Sequence, residues 1–123
     1  MTERPVLQPG SDHPLVFEAN PGRVTVRVNG RTIADTKRAV TVRESNYPAV
    51  QYIPIEDVDR SLLVPSSTTS YCPYKGDASY YGVSVDGERR EDVAWVYERP
   101  HPASDRIAGH LAFYADRVDE ING

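Results

Sequence analysis

The clearest signal in the chain is its alternation of apolar and polar positions. Arg23-Val24-Thr25-Val26-Arg27-Val28 sends valines to one side and arginine or threonine to the other, the period of a half-buried strand. Asn29-Gly30 follows, and because both residues tolerate positive φ the pair predicts a tight hairpin. Residues 33–35 read as the return strand and residues 39–43 as a third strand. An antiparallel meander is the simplest arrangement of the three. Ala49-Val50-Gln51-Tyr52-Ile53 predicts a fourth strand after the break at Tyr47-Pro48. Pro54 suits the first position of a helical turn over residues 55–58, with Glu56 and Asp57 at its positive end. Leu62-Leu63-Val64 then returns to the core, and Pro65 ends it.

The second half repeats the pattern. Ser79-Tyr80-Tyr81-Gly82-Val83-Ser84-Val85 is a strand with Tyr81, Val83 and Val85 on one face. Asp86-Gly87 predicts a second hairpin turn, with Val93-Ala94-Trp95-Val96-Tyr97 as the partner strand and Val93, Trp95 and Tyr97 sharing a side. Residues 103–108 suit one or two helical turns. Gly109-His110-Leu111-Ala112-Phe113-Tyr114 reads as a last strand, with His110, Ala112 and Tyr114 on one face and Leu111 and Phe113 on the other. Residues 1–14 are polar, proline-bearing and aperiodic, which predicts a flexible arm. The expected organisation is therefore an arm (1–14), a single compact antiparallel β domain with one or two short helical turns (15–119), and a tail (120–123).

Composition sharpens this picture. A chain of 123 residues is the size of one domain. Ten prolines and eight glycines fit many turns and short elements. A net charge of -4, with arginines scattered among carboxylates, is no nucleic-acid footprint. No apolar run approaches the ~20 residues of a membrane-spanning helix, and neither a signal segment nor a cysteine pair is present. These features lead us to expect a cytoplasmic protein with no membrane or nucleic-acid partner; they leave its oligomeric state open.

One stretch carries most of the candidate chemistry: Thr69-Ser70-Tyr71-Cys72-Pro73-Tyr74-Lys75-Gly76-Asp77-Ala78-Ser79-Tyr80. It holds the only cysteine and one of the two lysines. Cys72 has three readings: a nucleophile tuned by Lys75 or by His110 as general base, a wall of a ligand pocket, or a small packed hydrophobe. Tyr74 would donate to developing charge if the first holds. Lys75 lacks the glycines before it and the hydroxyl after it that a phosphate loop needs, yet it can meet an anionic group. Glu44 is inward if the strand at 39–43 continues, and solvated if it stops at Arg43. An inward carboxylate would need a partner. Trp95 and Tyr97 opposite Tyr80 or Tyr81 give cross-strand aromatic pairs, which form core or the wall of an aromatic pocket. One cysteine and three scattered histidines offer no close-spaced ligand pair, so neither metal nor cofactor is expected.

These runs, together with Tyr52-Ile53-Pro54-Ile55-Glu56-Asp57-Val58, Ala94-Trp95-Val96-Tyr97 and Ile107-Ala108-Gly109-His110-Leu111-Ala112-Phe113-Tyr114, resemble domain-of-unknown-function family 427, which groups bacterial and fungal proteins. The resemblance implies a tent-like, Mss4-like β fold, shared with B-type methionine sulfoxide reductases and the thalidomide-binding domain of cereblon. Many of those proteins carry paired Cys-x-x-Cys zinc knuckles, whereas Cys72-Pro73-Tyr74-Lys75 ends in lysine and has no second knuckle. The nucleotidyltransferase label sometimes given to the family finds no Gly-Ser turn or Asp-x-Asp pair here. Two functions are expected. One is a domain binding a small organic ligand, anionic ligands included, through Arg43, Glu44, Tyr71, Tyr74, Lys75, Tyr80, Trp95 and Tyr97. The other is an enzyme using Cys72 with His110.

Overall fold

The computed structural model describes residues 4–123 and is mainly β, with every strand pairing antiparallel. Seven strands form one sheet in the order β1 (Leu15–Asn20), β4 (Ala39–Glu44), β5 (Val50–Pro54), β9 (His110–Phe113), β8 (Glu88–Val96), β7 (Gly76–Val85) and β6 (Leu63–Cys72). Three more, β10 (Glu120–Asn122), β2 (Val24–Val28) and β3 (Arg31–Thr36), form a small second sheet. Single 3-10 turns at Ile55–Asp57 and Arg60–Leu62, and a pair joined by a kink at Ser104 within Pro102–Ile107, complete the regular structure. No helix among the described residues is long and apolar enough to cross a membrane.

Two apolar layers result. The valines of β2, with Ile33 and Ala34, face Ile53, Val83, Val85, Ala94, Val96, Leu111 and Phe113 between the sheets. Burying each such valine contributes about 1.5–3 kcal/mol relative to leaving it in water. Val40, Val42, Tyr52, Ala78, Tyr97, Ile107 and Ala112 form a second cluster. Both predicted hairpins form, at Asn29-Gly30 and at Asp86-Gly87, with all four turn residues at positive φ.

The expected meander does not form as drawn. β2 and β3 pair, but β4 leaves them and pairs with β1 and β5 in the large sheet. The departure begins at Thr36. Thr36 Oγ1 accepts from the Arg38 amide at 2.9 Å and donates to Asp57 at 2.6 Å, turning the chain away from β3. β4 is then covered on both faces, with Ala39 in the first cluster and Val40 and Val42 in the second. Residues 15–20, for which no strand was predicted, and 120–122, assigned to the polar tail, pair along exposed edges, where alternation is weak. β6 does not end at Pro65. The ladder breaks between Pro65 and Thr69 and resumes to Cys72, since proline has no N–H to give.

A bulge shapes the β7–β8 hairpin. Val83 lies opposite Arg90 and Tyr81 opposite Ala94, so three residues of β8 face the single Gly82. The kink carries Asp92 to φ 47° and moves Val93 into the first cluster, while Trp95 and Tyr97 pack with the second. The expected common side for Val93, Trp95 and Tyr97 is lost there. A Cβ at Gly82 would stand 2.6 Å from the Arg90 carbonyl oxygen. Gly82→Ala should therefore lower stability by about 1–3 kcal/mol, read as a drop in thermal midpoint. An unchanged midpoint would show that the bulge opens without cost.

Candidate functional site

The cysteine-lysine run forms a three-residue loop. Cys72 pairs with Gly76, Pro73, Tyr74 and Lys75 lie between them, and the Lys75 amide donates to the Cys72 carbonyl at 3.2 Å. Closing so short a loop needs Gly76 at φ 108°, a left-handed conformation that disfavours any side chain there. All three loop carbonyls are held from outside. Pro73 accepts from the Leu7 amide at 3.0 Å, Tyr74 from Ser104 Oγ at 3.1 Å, and Lys75 from the His101 amide at 3.0 Å. Ser104 is wholly buried.

The clamped loop aims Lys75 inward, leaving its side chain 10% exposed. Its Nζ donates to Glu44 at the end of β4 and lies 5.8 Å from the centre of the Tyr97 ring. His13 Nε2 meets the other Glu44 oxygen at 2.8 Å, and the His13 ring stacks on Tyr74 at 4.0 Å. Glu44 is thus the inward carboxylate, and it has two partners. Burial works against its charge, but the hydrogen bonds from Lys75 and His13 outweigh that, holding its carboxyl below the usual range.

Around this pair six aromatic rings and three aliphatic side chains line a cleft of about 260 Å³. Tyr47 is its exposed rim, and Tyr52, Tyr80, Trp95, Tyr97 and Tyr114 form its walls. Trp95 Nε1 donates to the Tyr52 hydroxyl at 3.1 Å, and the two rings meet edge to face at 6.2 Å. Tyr114 leans on Trp95 at 4.5 Å. Burial pushes the Tyr52 and Tyr97 phenols above their ordinary value, and burial with the neighbouring Tyr80 hydroxyl takes Tyr114 to about 12. These three phenols are therefore neutral hydroxyls at physiological pH.

Glu44, Lys75, Tyr80, Trp95 and Tyr97 are brought together as lining residues. Tyr74 reaches the site through His13. Tyr71 faces the arm, donating to the Pro5 carbonyl at 2.6 Å and meeting His101 at 3.0 Å. Arg43 is exposed beside Glu18. Cys72 packs against the second cluster and His110 meets the Ala108 carbonyl at 2.9 Å; neither lines the cleft, and no hydrogen bond joins them. His13, Tyr47, Tyr52 and Tyr114 were not among the expected site residues. Tyr52 and Tyr114 sit at alternating positions of predicted strands and so gave a signal, whereas His13 lay in a stretch without periodicity. Within the predicted arm, residues 1–3 lie outside the described residues, and Leu7 and His13 lie against the loop and Glu44.

A family model described as Domain of unknown function (DUF427) matches residues 16–122. The chain belongs to the DUF427 family. No curated protein matches it. The DUF427 span runs from the second residue of β1 to the last of β10, so Glu44 and Lys75 lie inside it and His13 outside. Among the described residues no cluster of histidine, cysteine or carboxylate is arranged to hold a metal ion.

The ion pair predicts two results. Lys75→Met should cost about 1–3 kcal/mol, because Glu44 keeps its burial and loses a partner. Adding Glu44→Gln should recover part of that, since removing both charges removes the mismatch. A double variant no more stable than the single one would contradict this. In acid, Glu44 is lowered in the folded protein from an unfolded value of about 4.3. Its contribution is present above that value and is lost as pH falls through the lower folded one. Stability measured against pH below about 5 should fall less steeply in Glu44→Gln.

Proposed function

We propose that this protein binds a small organic ligand in the aromatic cleft, with a planar or apolar body against Trp95, Tyr80 and Tyr114 and an acceptor or anionic group at Lys75. The observation that carries this reading is Lys75 itself, a lysine buried at the floor of an aromatic concavity. Lysine is seldom buried unless paired, and a buried ion pair is weak support for stability because desolvation offsets its attraction. Clamping three carbonyls to aim one cation into a cleft makes sense as preorganisation for a ligand. The mixture of apolar walls and few convergent polar groups is also that of small-molecule sites.

Glu44 and His13 complete the polar end. A ligand carboxylate would share Lys75 with Glu44, and the neutral phenols of Tyr52 and Tyr114 would supply further hydrogen bonds. Arg43 and Tyr71, on other surfaces, have no part in this mode. Cys72 contributes by fixing the base of the loop through its carbonyl rather than by thiol chemistry.

Trp95 is the only tryptophan in the chain and lies in the cleft wall, so its emission reports occupancy directly. Benzoate and neutral benzamide provide a charged and an uncharged aromatic probe. Both should change Trp95 emission saturably. In the Lys75→Met/Glu44→Gln protein, benzoate should weaken by about tenfold or more, as expected for a charge-assisted contact of about 1.5–3 kcal/mol, and benzamide by much less. No saturable change with either probe, or equal benzoate affinity in both proteins, would overturn the reading.

A further inference from the structure

A second space lies behind the cleft. β5 and β9 pair only at Ile53–Leu111 and Pro54–His110, and beyond these positions no ladder joins them. The sheet is forked there. On the far side of the fork is a chamber of about 320 Å³ walled by Val26, Ala49, Ile53, Phe113, Ala115 and Ile121. It adjoins the front cleft, and Pro48, Val50, Trp95 and Tyr114 line both. The one amide in the chamber, Gln51, has its carbonyl taken by Asn20 at 3.1 Å and Thr41 at 2.9 Å. The chamber wall is otherwise made of hydrocarbon and the Trp95 and Tyr114 rings.

We propose that this chamber is an apolar subsite for the alkyl tail of the ligand whose acceptor end meets Lys75, which makes the ligand class a medium-chain organic acid. The inference rests on the proposed function of the front cleft. Charge decides the orientation. Lys75 is the one cation among the lining residues of both spaces, so the acid group lies in front and the hydrocarbon passes Trp95 to the rear. An apolar space of this kind gains from each methylene removed from water, whereas a polar ligand would strip its own hydration there for nothing.

Chain length is the test. Butyrate, hexanoate, octanoate and decanoate are titrated calorimetrically at constant pH and ionic strength, with benzoate as the probe confined to the front cleft. Affinity should rise by up to about fourfold per methylene, the full transfer value, and level off once the chamber is filled. Ala115→Phe, at an exposed position of the chamber wall, should flatten the series and leave benzoate unchanged. Circular dichroism checks its folding, and Ile121→Phe replaces it if it unfolds. A flat series with benzoate still bound would overturn the rear subsite alone. A rising series that neither variant alters would also overturn it, because the tail would then lie elsewhere. If neither benzoate nor any alkanoate binds, the front-cleft reading falls with it.

Discussion

The three-residue loop is fixed by hydrogen bonds to carbonyls that a hairpin of its own could not satisfy. Pro73, Tyr74 and Lys75 each accept from a different part of the chain: the Leu7 amide, the wholly buried Ser104 hydroxyl and the His101 amide. A loop whose carbonyls are all engaged has little freedom to swing. That rigidity is what allows a lysine side chain to be held inward rather than in water, where its entropy and hydration would otherwise place it. The Glu44 carboxylate then becomes tolerable at the end of β4, and His13 takes its second oxygen. Remove the clamp and both charges would be buried without geometry to match them.

The fork between β5 and β9 has a comparable effect on the sheet. An antiparallel sheet normally closes its ladder from end to end, but here two paired positions are followed by divergence. Side chains fill what hydrogen bonds do not. Trp95 and Tyr114 stand at the opening, and Tyr52 below them anchors the indole N–H. The aromatic residues thus serve both as core, through their packing on the second cluster, and as walls of a space that the core does not fill. Their phenols, raised by burial, remain neutral donors and acceptors, which suits recognition of a ligand better than acid–base chemistry.

Much of this was written into the sequence. Valines alternating over residues 23–28, the Asn29-Gly30 and Asp86-Gly87 turns and the Trp95 strand need only the two-residue period and positive-φ chemistry, both of which are local. The unusual mixture at Tyr71-Cys72-Pro73-Tyr74-Lys75-Gly76 marked the site for the same reason: glycine, proline and lysine each impose their own constraint on a short loop. What no local rule decided was partnership. Whether β4 follows β3 or crosses to the large sheet depends on a Thr36–Asp57 contact 21 residues apart. Whether Glu44 is buried depends on Lys75, and His13 reaches it across 31 residues of sequence. Alternation says that a side chain faces inward but is silent on what it meets, because pairing of distant segments is fixed by the packing of the whole sheet. Hence Lys75, Trp95 and Tyr97 were legible as residues, and the cleft that joins them to Tyr52, Tyr114 and Glu44 exists only in three dimensions.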